Sequence, residues 1–160
     1  MKIPRQLIWI VAVLFVQQLP LVAAWGVDLP LILAVLLGVR SSAPAAAGWG
    51  FLIGSIQDLL SADWIGPQTV AKTLVGLFSC LSRRHIYRER VATQTFLIFW
   101  MTFFHQTFIW LLLKWDGSAP PAGEALAICL RTLLMTSCAG AAVCFFVVRF
   151  RRRRYDPATA

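Results

Sequence analysis

The stretch GFLIGSIQDLL, residues 50–60, reads as membrane helix until it reaches Asp58. Ala46, Gly50, Gly54 and Asp58 recur every four residues. On a helix such a set forms one ridge, drifting by about 40° per step. Small residues along a ridge let a second helix backbone approach closely, so the glycines predict a packing groove with Asp58 at its outer end. A carboxylate inside an apolar segment costs several kcal/mol unless it is paired, hydrated or near an interface. An antiparallel hairpin across the following turn, SADWIGPQT, puts Lys72 at a similar depth, each group about 6–9 Å from the turn at 1.5 Å per residue. Arg131, early in the last apolar segment, is a second basic candidate. The sequence leaves open whether Asp58 meets Lys72, Arg131 or neither.

The rest of the chain sets that segment in context. Of its 160 residues, 59% are hydrophobic and 14% charged, against about a quarter charged in a soluble domain. Mean hydropathy is +0.72. Six apolar segments follow one another, at 7–24, 29–39, 44–62, 66–82, 91–114 and 122–148. They predict an all-α, polytopic membrane bundle of about six transmembrane helices. It forms a single domain over 1–148, with a basic cytoplasmic tail over 149–160. A span needs about 20 apolar residues, so 29–39 is short and is expected either to tilt, to re-enter or to run past Arg40. Lys2, Arg5 and a run ending in Val22-Ala23-Ala24 resemble a cleavable leader. An intact first helix is preferred, because cleavage leaves an odd number of spans.

The net charge is +8, and its placement argues against nucleic acid as the partner. Arg40, Arg83, Arg84, Arg88, Arg90, Arg149 and Arg151, Arg152, Arg153 and Arg154 fall at one set of segment ends with Lys2 and Arg5. Asp28, Asp63, Asp116 and Glu124 mark the other ends, where Lys114 is the basic residue. Positive-inside bias therefore places both termini of this multi-pass chain in the cytoplasm. Trp25, Trp64 and Trp115 fall at the expected outer interface, where indole is favoured. The patches RRHIYRER and RFRRRRY attract anionic membrane lipids, at about 1 kcal/mol per residue near the surface, or dock a cytoplasmic partner.

Signs of chemistry are scarce. Cys80, Cys129, Cys138 and Cys144 lie in apolar stretches without a CxxC and are expected to be buried packing residues. Gln17, Gln18, Gln94, His105 and Gln106 are polar positions within segments, expected to make helix contacts, as is the small-residue face SCAGAA. No nucleophile with a paired base, phosphate loop or HExxH is present, so neither an enzyme nor a metal or other cofactor is expected.

Residues 29–84, from LPLILAVLLGVRSSAP through GFLIGSIQDLLSADWIG to LFSCLSRR, resemble the rod shape-determining protein MreD family. The order of features is shared. A short apolar helix and a small basic turn precede a Gly-x-x-x-Asp-Leu-Leu-Ser segment, here Gly54 to Ser61. The turn Ile65-Gly66 then leads into a helix ending in basic residues. Asp58, Gly54 and Gly66 match the family motif, whereas Lys72 is not fixed by it. The resemblance implies a six-helix fold like the substrate-binding subunits of energy-coupling-factor transporters. It also implies a non-catalytic subunit of the cell-elongation machinery in the bacterial inner membrane, organising peptidoglycan synthesis beside MreC, MreB, RodA and a class B penicillin-binding protein. The alternative is a vitamin- or metal-binding subunit of such a transporter. Against it, helix one lacks the expected Ala-x-x-x-Ala pair, since Val16 follows Ala12.

Overall fold

A computed structural model describes residues 3–61, 66–82 and 91–153; at 3–9, 20, 21, 23 and 147–153 it describes the helix but not the side chains. The described residues form seven helices and no strand: α1 (Ile3–Gln17), α2 (Pro20–Trp25), α3 (Leu29–Arg40), α4 (Ala43–Ser61), α5 (Pro67–Ser82), α6 (Val91–Trp115) and α7 (Ala122–Arg153). Five of the expected segments keep their place. The first divides. Gln18 and Leu19 close tight turns onto Phe15 and Val16, and Pro20 has no N–H with which to continue α1. The last helix runs beyond residue 148 to Arg153, so the basic run begins as helix. Residues 83–90, 154, 63 and 64 lie outside the described residues, and with them the Arg83, Arg84, Arg88, Arg90 and Arg154 patches and Trp64.

The short segment is the centre of the bundle. From Pro30 to Val39, α3 buries every residue except the partly covered Leu33, and it packs on α1, α4, α5, α6 and α7. Its side chains Leu31, Ile32, Val35, Leu36 and Val39 share one cluster with Val75, Leu97, Ile98, Met101 and Cys144. At 1.5 Å per residue its twelve residues reach only about 18 Å, well short of a bilayer core of about 30 Å. Only α6 and α7, among the described residues, are long and apolar enough to cross a membrane by length and composition.

The four-residue ridge of α4 is its buried face: Ala46, Gly50, Gly54 and Asp58 are all buried, with Ile53 beside them. It lies against α5 in antiparallel register, the most extensive helix contact among the described residues. A Cβ on Gly54 would stand 2.5 Å from Thr69 Cα and 2.6 Å from the Gln68 carbonyl oxygen, and one on Gly50 would run into the Lys72 carbonyl. From the other side, a Cβ on Gly76 would come within 2.5 Å of the Ala46 oxygen, and one on Gly38 within 2.7 Å of the Gly76 oxygen. Backbones of α3, α4 and α5 thus touch where side chains are absent. Gly66 differs. Open space surrounds it, and what constrains it is its φ of +125° in the turn before α5.

The ridge gives a contrast within one helix. Gly54→Ala forces α4 away from backbone that cannot yield and is expected to cost about 1–3 kcal/mol. Gly48→Ala meets nothing within 4 Å and should be neutral or gain up to about 1 kcal/mol from helix propensity. Thermal unfolding of the two purified variants in detergent checks both signs.

Candidate functional site

Two helices begin inside the bundle, and each start exposes backbone N–H groups that have no partner within the helix. At α3, Pro30 contributes no N–H. The remaining three donors are satisfied by side chains. Leu31 N donates to Asp28 Oδ1 at 2.9 Å, Leu29 N to Gln17 Oε1 at 3.1 Å, and Asp28 N to Thr136 Oγ1 at 3.1 Å. Gln17 also fixes the incoming chain, its amide donating to the Val27 carbonyl at 2.8 Å. Asp28 is therefore an N-cap held from three other directions.

At α5 the cap arrives from another helix. Pro67 again removes one donor. Gln68 N donates to Asp58 Oδ1 at 3.1 Å and Thr69 N to Asp58 Oδ2 at 2.8 Å, while the Thr69 hydroxyl also donates to Oδ2. Both carboxylate oxygens of Asp58 are occupied by the first turn of α5, at the positive pole of its dipole. The ridge of α4 brings the carboxylate there: the glycines that let the helices touch set the distance that Asp58 must cross.

The pairing of Asp58 with a basic residue does not form. The Lys72 ammonium, fully buried, turns instead to Asp28 Oδ2 at 3.3 Å, the one ion pair among the described residues. It also donates to Gln68 Oε1 at 2.7 Å. Arg131 is exposed and lies against Gly26. The reason is geometric. Asp58 already accepts three hydrogen bonds from α5, and the Lys72 stem, one turn further along, carries its ammonium towards the start of α3.

His105 of α6 closes the cluster. Its Nε2 is 3.0 Å from Gln68 Oε1 and 3.5 Å from Lys72 Nζ. Lysine is a donor only, so the Gln68 atom facing it must be the oxygen, and the His105 nitrogen facing that oxygen must carry the proton. His105 and Lys72 are then two donors sharing one acceptor. The polar groups of α1, α3, α5, α6 and α7 meet here as a joint whose hydrogen bonds are spent on holding the elements together.

Of the residues singled out in sequence, Asp58, Gly50, Gly54 and Lys72 come together at the α4–α5 hairpin, with Gly66 at its turn. Arg131 does not join them. Asp28, Gln68, Thr69, Gln17 and Thr136 escaped the sequence reading as members of one site. Asp28 ahead of Leu29-Pro30 did carry an N-cap signal, though nothing local announces that its partner is 44 residues away. The cysteines divide: Cys80 and Cys144 are buried, Cys129 is half-buried, and Cys138 is exposed, contrary to the expectation that all four are interior. Among the described residues no group of His, Cys, Asp and Glu could hold a metal ion. Comparison with family models, curated proteins and solved structures finds no match to this chain.

The two carboxylates should respond differently to loss of Lys72. Lys72→Met leaves Asp28 buried without its cation and is expected to cost about 3–5 kcal/mol. Adding Asp28→Asn, which retains a capping acceptor, should recover most of that loss. Adding Asp58→Ala should instead deepen it, by about 1–3 kcal/mol for each orphaned donor at α5. Unfolding midpoints of the two double variants decide the matter; rescue by Asp58→Ala would return Lys72 to Asp58.

Proposed function

We propose that the chain is a non-catalytic, multi-pass subunit of the bacterial inner membrane, with both termini cytoplasmic, that serves the cell-elongation machinery. The observation that carries the membrane reading is the inversion of polarity. The largest fully buried side chain is Lys72, accompanied by Asp58 and His105, while Phe15, Leu59, Phe96, Trp100, Leu134 and Phe146 are exposed. In α6 and α7 only 28% and 22% of the most apolar stretch is buried. A helix from the core of a soluble protein would bury most of it. An apolar exterior around a polar joint suits lipid as the surrounding solvent. Trp25 and Trp115, 58% and 94% exposed, suit the outer interface.

The elongation role rests on the resemblance over 29–84. Its motif positions Gly54, Asp58 and Gly66 all serve one purpose here, the closure of α4 onto α5. That use supports a scaffold: the acidic residue of the motif is buried, and both of its oxygens are engaged in joining two helices. The partners we assign are MreC, MreB, RodA and a class B penicillin-binding protein. The basic end of α7, with the other cytoplasmic arginines, would meet anionic lipid or the cytoplasmic partner.

Four measurements test this reading. The protein should remain in the membrane pellet after alkaline carbonate extraction. A cysteine placed at position 160 should resist an impermeant thiol reagent in intact cells in which the native cysteines are replaced. Depletion should convert rods to spheres, and MreC should co-purify. Intact cell shape with lost vitamin uptake would establish the transporter alternative instead.

A further inference from the structure

We propose that the outward face of α7 docks one transmembrane helix of another protein, and that this helix carries an aspartate or glutamate in the outer half of the membrane, paired with Arg131. The proposal rests on the membrane reading above and adds an interaction surface to it.

Arg131 is a charge inside the span of α7. The next charges along the helix are Glu124, about 10 Å outward, and Arg149, about 27 Å inward, at 1.5 Å per residue. A hydrocarbon core of about 30 Å therefore contains Arg131 whichever of the two marks its edge, at about 3–10 Å below the outer boundary. The residue is exposed, and so are its apolar neighbours Leu130, Leu134 and Met135. Its side chain lies across the α2–α3 connection, Cγ and Nε 3.9 and 3.7 Å from where a Cβ on Gly26 would stand. No carboxylate waits there. Asp28, two residues on, is engaged by Leu31 N and by Lys72, and that ion pair is the one among the described residues. A guanidinium keeps its proton, so apolar surroundings leave it in need of an anion.

The surface around Arg131 has the shape for a helix. Arg131, Cys138 and Phe145 recur at intervals of seven, with Ile128, Met135 and Ala142 between them, and all six are exposed. That spacing is the seam along which side chains of one helix enter the gaps of another. Cys138 and Ala142, one turn apart, make the middle of the seam shallow enough for a second backbone to come close. The outward face of α6 lacks both features. Phe96, Trp100 and Phe103 stack along it, ring centroids 6.4 and 5.8 Å apart, and fill the gaps a helix would use, with no charge among them. Charge then selects the occupant. Copies of this chain share one orientation, so a two-fold seam would set Arg131 against its own counterpart at one depth, like charge facing like. A lipid phosphate would answer the charge from above and leave the Cys138–Ala142 groove unfilled. A helix with a carboxylate level with Arg131 fills the groove and pairs with the guanidinium through two parallel hydrogen bonds.

The test uses the full-length protein in phosphatidylcholine vesicles and synthetic Leu-Ala helices of about 20 residues. Each helix bears one Glu, or one Gln as control, between one and two turns from an end, and association is read by fluorescence energy transfer. Wild type should bind the Glu helix about tenfold more tightly than the Gln helix. Arg131→Gln should erase that preference and unfold at the wild-type midpoint, because Arg131 holds no ion pair within the chain. Arg131→Glu should reverse the choice in favour of a helix bearing Arg at the same position. Ala142→Phe, at an exposed position, should weaken binding of the Glu helix by raising the groove. Equal binding of the Glu and Gln helices by wild type overturns the proposal, as does a preference that survives Arg131→Gln. A homodimer formed in membranes through native Cys138 and lost in Cys138→Ser overturns it in favour of a second copy. Retention of phosphatidylglycerol that depends on Arg131, without discrimination between the helices, overturns it in favour of a lipid phosphate. Carbonate extraction keeps the two readings apart: a protein absent from the membrane sinks the membrane assignment, while a membrane-integral protein without the Glu preference sinks only the docking surface.

Discussion

The backbone N–H groups at the starts of α3 and α5 must be satisfied inside a bundle with an apolar exterior. Water is the usual recourse for a helix end, and here the ends are turned inward. Each start uses the same two devices. A proline deletes one donor outright, Pro30 in α3 and Pro67 in α5. A carboxylate then accepts the donors nearest to it, Asp28 from its own helix and Asp58 from the neighbour. The negative charges are placed at the positive poles of two helices, where they are most favoured.

From that requirement the rest of the packing follows. Asp58 can reach Gln68 and Thr69 only if α4 and α5 lie in near contact, and near contact needs Gly50 and Gly54 without side chains. Two carboxylates with one lysine would leave a surplus negative charge if both depended on Lys72. They do not, because Asp58 is held by three α5 donors. Lys72 is left for Asp28, with Gln68 and His105 completing its surroundings. Charge and backbone satisfaction are thus one problem here, solved jointly by six helices, α1 and α3 to α7.

Much of this was legible in the sequence because it is local. The four-residue spacing of Ala46, Gly50, Gly54 and Asp58 announced a contact ridge, and it is the buried face of α4. Segment boundaries from 29 onward came within a few residues, since capping and turn residues mark them. Pro20 is visible in the sequence too, but hydropathy alone reads 7–24 as one apolar run and takes no account of its missing N–H. The choice of partner for Asp58 was not legible. Depth along a hairpin places Lys72 near Asp58, but the direction a flexible four-carbon stem takes depends on α3, which lies elsewhere in sequence. A satisfied carboxylate is also silent in sequence, because its three donors at α5 include two backbone N–H groups that any residue except proline carries. The exposure of Cys138 was equally out of reach: an apolar neighbourhood does not tell whether a small residue faces the bundle or its surroundings.

The short α3 explains why the molecule has two parts. A helix of about 18 Å can be surrounded on all sides, and its neighbours need extend only as far as it does. Its N-terminus therefore fixes the level at which α1 hands over to α3 and α4 to α5, and at which the polar joint must sit. The α6–α7 hairpin obeys no such limit. It takes part in the joint through His105 and Thr136 and then continues, with no helix of the inner group to cover it. Below that level the starts of α3 and α5 are matched within the chain. Rigidity belongs to the first part, where backbones touch.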